Sequence, residues 1–407
     1  MVDIRTPNFG KIKLFRHVDF SVPLLALALS GIGILMIYSA TRKPFELTSK
    51  TETMYVQKQA VFLLIGVIAM VIVAAIGHKR LQRLAPLIYL LILALLFSVL
   101  FLGVEKKGTR GWFEFGIYQF QPSEYCKIGI VVVLAFLLSH AETISRRRLV
   151  LTLVAAALPI VAILAQPDLG TILVYGAITA GMVVAAGIQG RYLLILFLLL
   201  LSGVIAVFES ETLEEYQVAR LLVFVNDDES TAASYNLEQA QIAIGNGGIT
   251  GSGLFEGTQN NSDLVPEQQT DFIFTVIAEE TGFIGSVLVL GLIGLLLFRI
   301  WRIGRLAEDN FGLLVSVGVF CMILFQTFQS VGMSTGIMPI TGIPLPLISY
   351  GGSSLVVTLT GIGILMSISR YDLEIRPDRE SRAIIDLRWW NRRARLPSNN
   401  AISRLSA

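Results

Sequence analysis

Asp271 stands where an acidic, polar stretch gives way to an apolar run, in Asp263-Leu264-Val265-Pro266-Glu267-Gln268-Gln269-Thr270-Asp271-Phe272. A helix beginning near Phe272 would take Thr270 or Asp271 as its cap, a role Asp favours. A carboxylate at that helix mouth, flanked by aromatics, is also placed to act as a base. Glu279 and Glu280 follow about two turns deeper, ~12 Å along the axis. Ionisable groups at such depth in an apolar helix require a partner or a polar cavity. Upstream, Glu209, Glu211, Glu214, Glu215, Asp227, Asp228 and Glu229 face a single cation, Arg220. They read either as a solvated acidic surface or as groups serving chemistry or holding a divalent cation. The glycine-dense stretch Gly245 to Gly253 permits tight turns and close backbone approach to a ligand.

A second set of groups lies earlier in the chain. Glu124 and Lys127 are three residues apart and share a helix face, as a structural ion pair or as part of a site. Gln166 and Asp168 open another apolar run, and Arg110 sits in Lys107-Gly108-Thr109-Arg110-Gly111-Trp112. Histidine chemistry is not expected beside Asp271, because His17, His78 and His140 all lie at the other ends of the apolar runs. Cys126 and Cys321 fall inside apolar runs without metal-like spacing.

The elements that must position these groups are membrane helices. The chain has 407 residues, 54% hydrophobic and only 15% charged. Its apolar residues gather in runs of roughly 17–25, long enough to cross about 30 Å of hydrocarbon. Backbone groups in lipid must be satisfied within a segment, so the runs predict helices. The expectation is an all-α integral membrane protein of about ten transmembrane spans. They fall near 20–40, 58–77, 83–103, 123–140, 148–166, 168–188, 192–208, 272–298, 311–336 and 353–369. The first is read as a retained span, not a cleaved signal. Basic residues concentrate on one side: Lys11, Lys13 and Arg16, Lys79, Arg80 and Arg83, Arg146 to Arg148, Arg299, Arg302 and Arg305. That side is predicted to be cytoplasmic, with both termini on it. The long loops 41–57, 104–122, 209–271 and 337–352 then face outward, and long loops tend to carry function. Three parts follow: a cytoplasmic N-terminus (1–19), a polytopic domain (20–370) holding the large loop 209–271 between spans seven and eight, and a basic tail (371–407). The tail, with Trp389-Trp390 among arginines, would lie on an anionic leaflet or remain solvated.

The motifs resemble those of the SEDS family (shape, elongation, division and sporulation proteins). They are Phe120-Gln121-Pro122-Ser123-Glu124 with Lys127, Gln166-Pro167-Asp168-Leu169-Gly170-Thr171, Ala243 to Gly248, Pro266-Glu267 with Thr270-Asp271-Phe272-Ile273-Phe274, and Pro339 to Pro346 with Ser349-Tyr350-Gly351-Gly352-Ser353-Ser354. Gly257-Thr258-Gln259 and Ala278-Glu279-Glu280 resemble the elongation branch, RodA, more than the division branch, FtsW. The chain departs from the family pattern at Gln269, Gly111 and Ser330.

The resemblance implies a glycosyltransferase of the bacterial cytoplasmic membrane. It would polymerise lipid II, an undecaprenyl-pyrophosphoryl disaccharide-pentapeptide, during cell elongation. It places the essential carboxylate at Asp271, with Glu124, Lys127, Arg110, Asp168, Asp263, Glu267 and Arg220 lining the substrate path. It also implies a class B penicillin-binding protein and other elongation-complex membrane proteins as partners, and no nucleic acid. The pyrophosphate leaving group suggests a divalent cation, magnesium or manganese, and no organic cofactor is expected. Alternative readings are a lipid II flippase, a division-branch polymerase or an inactive scaffold.

Overall fold

The computed structural model describes residues 19–42, 50–106, 109–116, 118–139, 146–188, 232–262 and 264–375. The expected span at 192–208, the acidic residues 209–229 with Arg220, Asp263, and the tail beyond 375 lie outside the described residues. Helices α1 (Ser21–Thr41), α2 (Lys50–Ile76), α3 (His78–Leu102), α4 (Pro122–Ser139), α5 (Arg146–Leu164) and α6 (Leu169–Ala185) come first. After α7 (Ala232–Gly247) and α8 (Thr258–Asn261) follow α9 (Ile273–Leu306), α10 (Asn310–Thr335) and α11 (Gly352–Ile375). Eight of these are long and apolar enough to cross a membrane, and α6 is a shorter apolar helix. Every expected span among the described residues corresponds to one of the nine. Residues 232–261, read from sequence as part of one long loop, contain α7 and α8.

The helices divide into a centre and a periphery. The apolar windows of α11 and α4 are 89% and 78% buried, whereas those of α2 and α3 are 17% and 22% buried. Helices apolar on every side suit both places; here α4 and α11 face protein while α2 and α3 turn most of their surface to lipid. The main core runs through Ile130, Leu134, Ile178, Val319, Ile323, Leu359 and Ile362, all fully buried.

Loop 104–122 holds a small antiparallel sheet that the apolar pattern did not announce. Strands β1 (Val104–Lys106), β2 (Thr109–Phe115) and β3 (Tyr118–Phe120) pair in the order β1-β2-β3. Phe113 opposes Phe120, and Phe120 stacks on Tyr125 of α4 at 4.5 Å. These aromatic contacts seat the sheet on the start of α4.

Helix α9 is broken at Gly282, whose φ of 65° and ψ of −164° are non-helical. A break strands backbone groups that lipid cannot satisfy. The glycine-dense segment supplies them: Phe283 and Ile284 donate N–H to Gly248 and Ile249, while Ser252 and Gly253 donate to the carbonyls of Glu279 and Glu280. The glycines therefore allow close approach to the protein's own helix, where the sequence suggested a ligand.

At the basic end, the α2–α3 turn meets the α9–α10 turn. Lys79 donates to the Asp309 carboxylate, and His78 Nε2 lies 3.6 Å from it. His78 N–H also donates to Ser367 Oγ of α11 at 2.8 Å. At the opposite end, α1, the β-sheet and the loops before α6, α9 and α11 converge.

Candidate active site

Asp271 is held by its backbone. The Glu267 carbonyl accepts N–H bonds from Thr270, Asp271 and Phe272 at 3.1, 3.1 and 3.4 Å. Glu267 itself adopts a left-handed φ of 54°, a conformation that costs a non-glycine residue ~1–2 kcal/mol. Such strain persists where surrounding contacts over-determine the geometry. They do here: Phe272 is buried against Ala240, Ala243, Val265 and Ile340, and Gln269 C=O accepts the Tyr350 N–H at 2.9 Å. The expected capping role is corrected. Phe272 is the N-cap of α9, with no side-chain cap bond, and the Thr270 hydroxyl turns back to Glu267 Oε2 at 3.1 Å. The turn at 267–270 takes Asp271 out of the capping position.

The loop before α11 links this turn to the rest of the face. Gln59 of α2 donates to Ser349 C=O and accepts from Gly351 N–H, at 3.2 and 3.3 Å. Tyr55 packs edge-on against Tyr350 at 4.9 Å. Burial, then the neighbouring Tyr55, push the Tyr350 hydroxyl above its ordinary pKa, so it remains a neutral donor. One residue into α11, Ser353 Oγ accepts the Gln121 N–H at 3.2 Å.

Gln121 leads into the second set. Glu124 and Lys127 form an ion pair at 2.6 Å, with residue exposures of only 5% and 1%. At that burial the pair stands on its own geometry, since water screens little of it. The second carboxylate oxygen, Glu124 Oε2, has no hydrogen-bond partner among the described residues. Ser123 Oγ and both amide atoms of Gln166 share that condition. Buried polar groups are ordinarily satisfied, so these atoms keep unused hydrogen-bonding capacity beside the ion pair.

The other expected residues are placed differently. Asp168 caps α6, accepting from Thr171 N–H at 3.0 Å and Thr171 Oγ at 2.8 Å. Gln121 Nε2 donates to Asp168 Oδ2, the oxygen that also accepts the Thr171 hydroxyl, at 3.4 Å. Arg110 sits on the exposed sheet opposite Glu105, 3.9 Å from its carboxylate, and is not drawn into the Glu124–Lys127 pair. Arg220 and Asp263 lie outside the described residues. Among the described residues no group of three or more His, Cys, Asp or Glu side chains is placed to hold a metal ion. Sequence reasoning gave no role to Gln59, Tyr55, Gln121 or Ser353. Their spacing carries no periodic signal, although Gln121 and Ser353 lie within the family motifs.

The arrangement is that of a membrane-embedded polar face with one positioned carboxylate and one buried ion pair. The profile of the FtsW/RodA/SpoVE family, described as "Cell cycle protein", matches residues 20–374. The chain belongs to this family. With it, the chain is a multi-pass membrane protein and takes the family's enzyme class, peptidoglycan glycosyltransferase. The peptidoglycan glycosyltransferase MrdB of Escherichia coli K12 is 33% identical over 354 residues, 86% of this chain and 93% of that protein. The probable peptidoglycan glycosyltransferase FtsW of Geobacter metallireducens is 32% identical over 366 residues, 88% and 96% of the two. Among solved structures, a chain from a study of polymerization and crosslinking by a peptidoglycan synthase complex superposes with a TM-score of 0.74. It shares 30% identity over 87% of this chain and 98% of that one.

Proposed function

We propose that this chain polymerises lipid II on the loop-rich face, which we take as the outer face of the cytoplasmic membrane, and that it serves cell elongation. In the reaction an acceptor hydroxyl oxygen attacks the anomeric carbon of a second lipid-linked disaccharide. The bond from that carbon to the diphosphate breaks, and the lipid diphosphate departs with the electron pair. Inversion turns the α-linkage into a β-1,4 bond. Asp271 takes the hydroxyl proton as general base. The observation that carries this reading is the placement of Asp271: a backbone turn fixes it at the start of α9, on the face that also holds the buried Glu124–Lys127 pair.

Glu124 and Lys127 hold the substrate, with Glu124 Oε2 free to accept a hydroxyl and Lys127 supplying positive charge. Glu267 sets the turn. Asp168 borders the path from its cap, and Arg110, Asp263 and Arg220 keep a place along it on the strength of the family resemblance. The elongation role rests on Gly257-Thr258-Gln259 and Ala278-Glu279-Glu280. A class B penicillin-binding protein is the proposed partner, supported by the synthase complex to which the fold is similar.

The test is purified full-length protein with labelled lipid II in nanodiscs and in vesicles. Glycan polymer in nanodiscs is the expected result. Transfer of lipid II across vesicles with no polymer in either preparation would replace this reading with a flippase.

A further inference from the structure

We infer that Glu279 is a positioning residue for Asp271, acting through α8 and the loop between them. The inference rests on the polymerase reading and gives Glu279, which that reading uses only to place the branch, a part in positioning the base. Glu279 is fully buried, yet among the described residues it forms no salt bridge with a cation. Its Oε1 accepts the Gln259 N–H at 2.7 Å and the Thr258 hydroxyl at 3.2 Å, and its Oε2 accepts the Asn260 N–H at 3.1 Å. Two backbone N–H groups and a hydroxyl of α8 converge on this one side chain, so this carboxylate is the anchor of α8.

From α8 the chain of contacts returns to Asp271. The Asn260 carbonyl accepts from Gln268 Nε2 at 3.2 Å, and the same nitrogen donates to the Ala40 carbonyl at the end of α1 at 2.6 Å. Leu264 N–H donates to Gln259 C=O at 3.3 Å. Gln268 lies inside the Glu267 turn that sets Asp271. Asp271 and Glu279 bracket the first segment of α9, before its break at Gly282. The polypeptide from Gln259 to Glu279 is thus a closed ring. Its clasp is the Glu279 carboxylate, and the proposed base sits on the far side.

A second position tests the clasp from outside. A Cβ at Gly257 would stand 2.7 Å from Glu279 Oε2. Alanine there pushes the carboxylate off the α8 amides while leaving Glu279 in place. A carboxamide at residue 279 instead keeps the volume and sets an NH2 group against an N–H donor.

Misplacement of a reacting group by ~1 Å costs on the order of a hundredfold in rate. The full-length protein in nanodiscs, with lipid II as substrate, is compared as parent, Glu279→Gln, Gly257→Ala and the double variant. Amide exchange across 258–262 and thermal midpoints are read on the same samples. Both single variants are expected to keep KM within a few-fold and to lose roughly ten- to a hundredfold in kcat, with faster exchange at Gln259 and Asn260. The double variant is expected to be no worse than the poorer single one, because both act on one contact. Kinetic losses that multiply in the double variant, or a folded Gly257→Ala protein with faster exchange and unchanged kcat, would overturn the inference. If Glu279→Gln does not insert, Gly257→Ala decides alone. Asp271→Asn run in parallel separates the two readings. An inactive Asp271→Asn beside an active Glu279→Gln removes the positioning role only. An active Asp271→Asn removes the base, and the positioning role with it.

Discussion

Gly251 lies so close to Glu280 that a Cβ on residue 251 would stand 2.1 Å from the Glu280 carbonyl oxygen. The contact belongs to the seam where the glycine-dense segment caps both broken ends of α9. That seam lets a polar loop reach into the bilayer-depth interior without leaving backbone groups unsatisfied, and it fixes the helix segment whose first turn follows Asp271.

The seam predicts a contrast between two glycines. Gly251 and Gly248 both have positive φ, 85° and 51°, but only at Gly251 would an added Cβ meet other atoms within 4 Å. Gly248→Ala is expected to cost about 1 kcal/mol, the backbone strain alone. Gly251→Ala adds a backbone clash and should lower stability by several times that amount, on the order of 3 kcal/mol. Thermal midpoints in detergent, taken side by side, check the ranking; equal midpoints would contradict the close approach.

At the opposite end, Asp309 gives a pH prediction. Burial opposes its charge, but bonds from His78, Lys79 and the Gly312 N–H prevail and hold its carboxyl well below the ordinary 3.8. A depressed folded value means the contribution is fully present above about pH 4 and fades as pH falls toward the folded value. The parent should therefore lose thermal stability as pH falls from about 4 toward 2 more steeply than Asp309→Asn, roughly by this group's share of the linkage. Parallel slopes for the two proteins over that range would refute it.

Much of this was legible in the sequence. Helices such as α2 and α9 announced themselves because lipid demands long apolar segments, whatever their neighbours. Glu124 with Lys127 was legible because three residues on a helix is a fixed geometry. The β-sheet was not, since Thr109 to Phe115 is short, and its Trp112, Phe113 and Phe115 form neither a long apolar run nor a strict alternation. Nor was the capping geometry at Asp271, because a turn that closes on the Glu267 carbonyl has no side-chain signature. The purpose of the glycines was half legible: close approach followed from their number, but the surface approached did not.

The Glu124–Lys127 pair separates structure from chemistry by a cycle. Removing one partner of a buried pair leaves an uncompensated charge and costs about 3–5 kcal/mol. Lys127→Met alone should therefore insert poorly or melt early. Glu124→Gln with Lys127→Met removes both charges and should recover most of that stability. If the pair only holds α4 in place, the double variant polymerises; if it holds substrate, as proposed, the double variant folds and is inactive. Polymer yield normalised to folded protein decides between them.

The leaving diphosphate requires positive charge as the bond breaks. Lys127 supplies only part of it because Glu124 balances its charge, and Arg110 lies beside Glu105. We propose that a divalent cation carried in by the lipid diphosphate itself meets the requirement. Polymerisation should stop in excess chelator and return with magnesium or manganese, while the thermal midpoint of the substrate-free protein stays unchanged. Full turnover in chelator would dispose of the cation, and a chelator-induced fall in midpoint would place it in the protein.

Asp271→Asn bears directly on the mechanism. Because Phe272 is the N-cap and the turn is closed by the Glu267 carbonyl, the Asp271 side chain is not needed to start the helix. The substitution keeps the shape, removes the proton acceptor and leaves the three backbone bonds of the turn intact. The variant should insert, melt near the parent temperature and associate with its partner. Its polymerisation should fall by roughly the 10²–10⁴-fold that general-base catalysis contributes. A loss of stability matching the loss of rate would mean the carboxylate only holds the fold. A folded variant that makes glycan at nearly the parent rate would move the base elsewhere, with Glu267 in the same turn the next carboxylate to replace.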